Sequence, residues 1–195
     1  MGYVNKILEY MQKNQGYITN KITKELNVPT IYLTRLTKSK EIIKVNRGIY
    51  VLPHIFEDDL YIYYLRYNRI IYTGNTTLVL NGMSNQSLKS IEANVPHNYN
   101  THRINSFIVN RVNDLQYNLG KTYIETEFGN KVPTYNKERV LCDIFITDSL
   151  DNQALNYAIK VARDNTINFE YLYDYSKQLN VYEKIRFLLE INYEY

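Results

Sequence analysis

His97 and His102, in the polar run His97-Asn-Tyr-Asn-Thr-His102, are the side chains whose type best suits a metal ion. A zinc site takes three or four ligands, and no third one stands at a recognisable spacing, so the run reads as an ordinary surface loop. Glu125 and Glu127 fall on one face of a candidate strand, with Lys131 after them and Asp114 before. That set loosely follows the carboxylates and lysine of metal-dependent nucleases. Its order departs from their Asp…Glu-x-Lys arrangement, and carboxylates on the solvent face of an antiparallel strand are the commoner case. Gly74 alone supplies neither a phosphate-loop pattern nor a dinucleotide fingerprint and reads as turn chemistry. Arg139 and Asp143, at i and i+4 of one helix, can pair, a contact worth roughly 0.2–0.5 kcal/mol on an exposed surface. Cys142 is the single cysteine, which excludes an internal disulfide and any cysteine-rich zinc site, and it lies in an apolar helical pattern. No Ser-His-Asp or Cys-His arrangement is present. The residues predict no catalytic group, no metal and no cofactor, so the chain is expected not to be an enzyme.

Recognition chemistry has a stronger claimant. The net charge of +3 is unevenly spread: residues 1–50 carry nine Lys or Arg against three Glu, whereas residues 51–195 carry 14 against 17 Asp or Glu. A basic N-terminal segment joined to a mildly acidic remainder is the footprint of a nucleic-acid-binding domain with a partner domain. Within that segment Ile31, Thr34, Arg35 and Lys38 lie on the outer side of one predicted helix with Thr30 and Tyr32 on its flanks, Thr19 and Lys21 open the helix before it, and Lys44 and Arg47 lie on the hairpin after it. An arginine fork can pair with guanine, an exposed aliphatic side chain can sit against a thymine methyl, and Thr or Lys can hold phosphates. Arg35 and Ile31 are the expected base readers.

The elements that position these side chains follow from spacing. Val4, Ile7, Leu8 and Met11 recur at i, i+3, i+4 and i+7, predicting a helix over 3–15 that stops at Gly16. Thr19 can cap a second helix, 19–26, with Ile22 and Leu26 on one face. Asn27-Val28-Pro29 makes a turn, with Val28 beneath both helices and Pro29 at the first turn of the next helix. In that third helix, 30–40, Leu33 and Leu36 define the buried direction. Alternation then predicts a hairpin: Ile43 and Val45 inward, Lys44 and Asn46 outward, a turn at Asn46-Arg47-Gly48, and a returning strand Ile49–Leu52 stopped by Pro53. The order is that of a winged helix-turn-helix, placed at residues 1–53.

After a short joint, His54–Phe56, the remainder reads as a second domain over 57–195. A helix is predicted from Glu57 to Arg69, with Leu60, Tyr64 and Tyr67 inward, then a short strand Ile70–Tyr72 and a helix Thr76–Asn81. Strands are predicted at 90–95, 104–111, 121–128 and 131–135, the last two joined through Gly129-Asn130, giving one mostly antiparallel sheet. Four helices close the chain: Asn136 to Ile146, one marked by Leu155, Ala158, Ile159 and Ala162, one by Leu172, Tyr175 and Leu179, and one by Val181, Ile185, Leu188 and Leu189. The fold class is α+β, a winged helix-turn-helix followed by a mixed domain with a helical C-terminal end. With 45% hydrophobic and 22% charged residues, no apolar run of membrane-spanning length and no signal-peptide pattern, a cytoplasmic protein is expected. The 21 Tyr are spread through the chain rather than aligned on one sheet, which argues against a base-stacking platform.

Four stretches resemble the AbiEi antitoxins, the repressor half of the type IV AbiE abortive-infection toxin–antitoxin systems of bacteria. They are Arg47-Gly-Ile-Tyr-Val-Leu-Pro53, Tyr72 to Met83, Val132 to Ile144, and the final helices from Ala154 to Ala158 through Lys184 to Leu189. The chain departs from relatives at Thr73-Gly74-Asn75-Thr76-Thr77-Leu78, where Ser-His-x-Thr-Ala-Leu is frequent. The resemblance implies a winged helix-turn-helix that binds inverted repeats in double-stranded DNA at its own promoter and represses the operon. It also implies a C-terminal domain that counters a nucleotidyltransferase-like toxin without forming a stable complex, as part of phage resistance. A palindromic operator needs two copies, here expected as monomers that bind DNA in pairs. Two further readings stay open: a winged-helix regulator of unrelated genes, and a nucleic-acid-processing enzyme guided by a winged helix.

Overall fold

The computed structural model describes residues 2–84, 87–88, 90–146, 156, 160, 164 and 166–190. The chain is α+β and folds as two compact units. The N-terminal unit comprises Met1–Asn68 and Glu125–Val132, the second Arg69–Ile124 and Pro133–Tyr195.

In the N-terminal unit, α1 (Tyr3–Lys13) buries Ile7 and Met11 and ends where Gln15 and Gly16 turn to positive φ. A short strand that the sequence reading passes over follows, β1 (Tyr17–Thr19), whose Tyr-Ile-Thr composition suits a pleated, covered surface. Thr19 then caps α2 (Asn20–Glu25), its hydroxyl accepting from the Ile22 N–H at 3.2 Å. Asn27 takes φ 55°, Val28 is buried beneath the turn, and α3 (Ile31–Lys38) begins after Thr30, leaving Pro29 just outside the helix. α3 stops short of the expected Lys40, because that residue has φ 62° and breaks the helical run. The strands β2 (Ile43–Asn46) and β3 (Ile49–Val51) pair antiparallel, and β3 also pairs antiparallel with β1, in the order β1-β3-β2.

The expected inward role of Ile43 is corrected. Ile42 is buried and Ile43 is 42% exposed. Ile42, just before β2, joins the core that holds Leu33 and Leu36, while Ile43 pairs with Val51 at the start of β2 and stays exposed; the strand register shifts only later, between Lys44 and Asn46.

All of β3 is buried because both faces of this small sheet are covered. Ile18 and Tyr50 join the core of Ile7, Met11, Leu33 and Leu36 on one side; Tyr17, Ile49 and Val51 pack with Ile62 on the other. Ile62 belongs to α4 (Asp59–Arg66), so this helix is part of the N-terminal unit, whereas the sequence reading divides the chain at residues 54–56. The inward face of α4 is centred on Ile62, with Tyr61 and Leu65 against it, while Leu60 and Tyr64 are only half-buried and Tyr67 is buried just beyond the helix. Asp58 caps α4, accepting from the Tyr61 N–H. Its other carboxylate oxygen accepts from Thr126 Oγ1 at 2.5 Å and Asn130 Nδ2 at 2.8 Å, and Tyr17 Oη accepts from the Asp58 N–H. A buried carboxylate with this many donors is satisfied in place.

In the second unit, β4 (Ile71–Tyr72), β5 (Glu92–Pro96) and β6 (Ile108–Val112) form one sheet in that order. β4 and β5 are antiparallel, but β5 and β6 are parallel. β7 (Lys121–Glu125) and β8 (Lys131–Tyr135) form a separate two-stranded sheet. The expected single, mostly antiparallel sheet is thus two sheets, one of them mixed. The segment 97–107 carries the chain back to start β6 beside the beginning of β5 instead of reversing it, as a parallel neighbour requires. Helices α5 (Gly74–Leu80), α6 (Asp114–Asn118), α7 (Lys137–Ile146), α8 (Phe169–Gln178) and α9 (Tyr182–Glu190) complete the described residues, α6 being unforeseen. Leu141, Phe145, Leu172, Ile185 and Leu188 meet in its core. The helix expected over Leu155 to Ala162 lies outside the described residues apart from Asn156 and Lys160, as does the Ala154–Ala158 stretch apart from Asn156. No helix among the described residues is long and apolar enough to cross a membrane.

Arg139 and Asp143 do pair, Nε to Oδ1 at 2.8 Å, but in the interior rather than on the surface: only 3% of the arginine side chain is exposed. Arg139 Nη1 also donates to the carbonyls of Gln116 and Leu119, and its guanidinium lies 4.6 Å from the centre of the Tyr135 ring. Beside it, burial pushes the Cys142 thiol up from its ordinary 9.0 to about 12 and the Tyr135 hydroxyl from 10.0 to about 12. A raised pKa in the folded state gives stability that is complete below the ordinary value and lost as pH rises through the folded one. Stability is therefore expected to fall between about pH 9 and 12. Cys142 is also expected to resist a thiol-labelling disulfide at neutral pH until the chain is unfolded by denaturant, which absorbance titration of the released thiolate measures.

Candidate nucleic-acid interface

α3 presents one continuous exposed stripe. Leu33 and Leu36 are buried at 0% and 2% exposure, and opposite them Ile31, Thr34, Arg35 and Lys38 are all exposed, at the i, i+3, i+4 and i+7 positions of one stripe. Ile31 is 53% exposed, which is ordinary for a single apolar side chain and leaves it available for contact. The Arg35 guanidinium lies 5.1 Å from the centre of the Tyr32 ring, and Tyr32 in turn packs against Tyr3 at 5.0 Å. A cation held over a ring is partly pre-oriented and keeps its donors for a partner. The sequence reading left Tyr32 on the flank of the helix; its i, i+3 spacing to Arg35 is the signal that marks it. Thr30 is exposed at the N-cap position, and its side chain makes no capping bond there.

The other expected contact residues divide into two groups. Lys44 and Arg47 are exposed on the β2–β3 hairpin. The turn is sharp: Gly48 has φ +72°, and a Cβ there would stand 2.9 Å from Asn20 Nδ2, so the position suits glycine for both reasons. The Gly48 carbonyl accepts from the Asn20 N–H at 2.9 Å, which ties the turn to the start of α2. Thr19 and Lys21 are less available. The Thr19 hydroxyl is spent on its cap and the residue is half-buried, while Lys21 is exposed but lies 3.8 Å from Glu25. Such an exposed pair is weak and can exchange for a phosphate. The arrangement offers an aliphatic contact at the start of a helix and an arginine fork at its middle, with cations on a following hairpin.

The residues considered for other chemistry are not gathered. Among the described residues no group of three or more His, Cys, Asp or Glu comes together. His97 and His102 are exposed in the connection before β6. Glu125 stands 4.0 Å from Lys131 on the surface, and Glu127 lies in the turn after β7 rather than along the strand. Gly74, at φ +54°, opens α5, where the Glu92 carboxylate accepts from the Asn75 N–H at 3.2 Å. In the second unit a depression of about 660 Å³ is lined by Tyr173, Asp174, Tyr182 and Arg186 among others. None of the candidate site residues lines it, and Arg186 is paired with Glu190 at 2.8 Å.

No curated protein matches the chain. The N-terminal stretch that carries the α3 face and the hairpin does have a family counterpart: residues 5–53 match the family described as "Transcriptional regulator, AbiEi antitoxin".

Proposed function

We propose that the chain is an antitoxin and autoregulator whose N-terminal unit is a winged helix-turn-helix, with α2 and α3 as the helix pair and β2–β3 as the wing. It binds inverted repeats in its own promoter, two monomers per operator, and represses the operon. The observation that carries this reading is the α3 stripe of Ile31, Thr34, Arg35 and Lys38, exposed over a core of Leu33 and Leu36. The match over residues 5–53 supports the regulator class. The resemblance supports the rest: the second unit opposes a nucleotidyltransferase-like toxin without a stable complex, in the cytoplasm, as part of phage resistance and without enzymatic activity of its own.

The test is fluorescence-anisotropy binding to the duplex upstream of the chain's own gene, beside a scrambled duplex, across a salt series. The native duplex is expected to bind tighter by orders of magnitude, with affinity falling as salt rises. Equal, weak binding to both duplexes would overturn the autoregulator reading. Within the same assay, Lys44→Ala is expected to weaken native and scrambled DNA about equally and to lower the salt slope by about one, as loss of a phosphate contact does.

A further inference from the structure

Asn46 sits at the shoulder of the β2–β3 turn, where the strand register shifts. Its Oδ1 accepts two hydrogen bonds, one from the Arg47 N–H at 2.8 Å and one from Arg66 Nη1 at 2.7 Å. Arg66 is the last residue of α4, and its guanidinium lies 5.0 Å from the centre of the ring of Tyr67, which is itself buried. The guanidinium is thus placed over a buried ring while it donates to the turn, at the surface. An asparagine amide can swing about its side-chain bonds, and the Arg66 donor confines the oxygen that in turn confines the Arg47 backbone. Arg66 lies outside the stretch matched by the family, residues 5–53, and nothing in its local spacing marks it as part of the interface.

We infer that Arg66 is a positioning residue for the wing: through Asn46 it sets the conformation in which Arg47 meets the DNA backbone. The inference rests on the DNA-binding reading above. It makes α4 part of the recognition apparatus, so a minimal domain cut at residue 53 would retain the wing without its anchor. A lysine at position 66 keeps the charge but lacks the planar fork that can stack on Tyr67 and reach Asn46 together.

The test uses the full chain and the native promoter duplex, with Arg66→Ala, Arg66→Lys, Arg47→Ala and the double variant Arg66→Ala/Arg47→Ala. Arg66→Ala and Arg47→Ala are each expected to lose roughly tenfold in affinity, the scale of one charge-assisted contact. The double variant is expected to lose little more than either single one, because both remove the same contact. Arg66→Lys is expected to restore less than half of the loss on a logarithmic scale. In the free protein, exchange of the Arg47 amide hydrogen, followed by NMR, is expected to quicken in Arg66→Ala while the Ile49 and Val51 amides keep their protection. Multiplying losses in the double variant, or full rescue by lysine, would make Arg66 an independent charge and overturn the inference. So would unchanged Arg47 amide exchange. If wild type does not prefer promoter DNA at all, the DNA-binding reading falls and takes this one with it. If wild type binds and Arg47→Ala weakens it while Arg66→Ala does not, only the role of Arg66 falls.

Discussion

Arg35→Ala is expected to reduce affinity for the native operator by about 1–3 kcal/mol while leaving scrambled DNA much less affected. The guanidinium is exposed at the middle of the α3 stripe and held over Tyr32, so it is partly ordered before DNA arrives. Forming a bidentate contact to guanine then costs little further ordering. Arg35→Lys separates charge from geometry: the ammonium keeps attraction to phosphate but cannot offer the planar fork, so specificity is expected to fall more than overall affinity. Titrations of each variant against native and scrambled duplexes read this directly. Equal losses on both DNAs for Arg35→Ala and Lys44→Ala alike would show that α3 does not read bases through Arg35.

Arg139→Ala is expected to have the larger effect on folding, destabilising the second unit by about 3–5 kcal/mol, as removal of one partner from a buried ion pair does. Three acceptors lose the Arg139 donor at once, the Asp143 carboxylate and the carbonyls of Gln116 and Leu119, and of these the Gln116 carbonyl keeps the Tyr135 hydroxyl. Burial already raises the Asp143 carboxyl above its ordinary 3.8, with Arg139 pulling it back down, although 26% of its side chain still meets solvent. An acid with a raised folded pKa contributes stability that is complete below the ordinary value and is lost as pH rises through the folded one. Without Arg139 that folded value climbs further. The deficit of the variant is therefore expected to be smaller near pH 4 than at neutral pH, which urea midpoints at the two pH values measure. A deficit under about 1 kcal/mol would return the pair to the surface class.

Much of the N-terminal unit was legible along the chain. α1, α3, α8 and α9 bury or half-bury the residues whose spacing marked them, and the exposed α3 stripe follows from where Leu33 and Leu36 point. The cap at Thr19, the turn over Val28 and the hairpin at Gly48 were likewise local matters, each decided within a few residues by capping, packing or positive φ. Other assignments failed for want of a distant partner. β1 is three residues long and exists because β3 pairs with it. Ile42 and Ile43 are equivalent in type, and only the core around Leu33 and Leu36 that takes in Ile42 decides which is buried. The Arg139–Asp143 spacing is visible in sequence, but its burial depends on Gln116, Leu119 and Tyr135.

By itself, then, the amino-acid sequence determined the amphipathic helices, their caps and turns, and a basic outer face on α3, because each is set by side-chain spacing within one element. Tertiary structure alone decided that both faces of the β1-β3-β2 sheet are covered, that β5 and β6 run parallel, that Asp58 is satisfied by Thr126 and Asn130, and that Arg66 grips Asn46. These depend on groups far apart in the chain, whose polar atoms find partners and whose apolar faces find cover only when the elements come together.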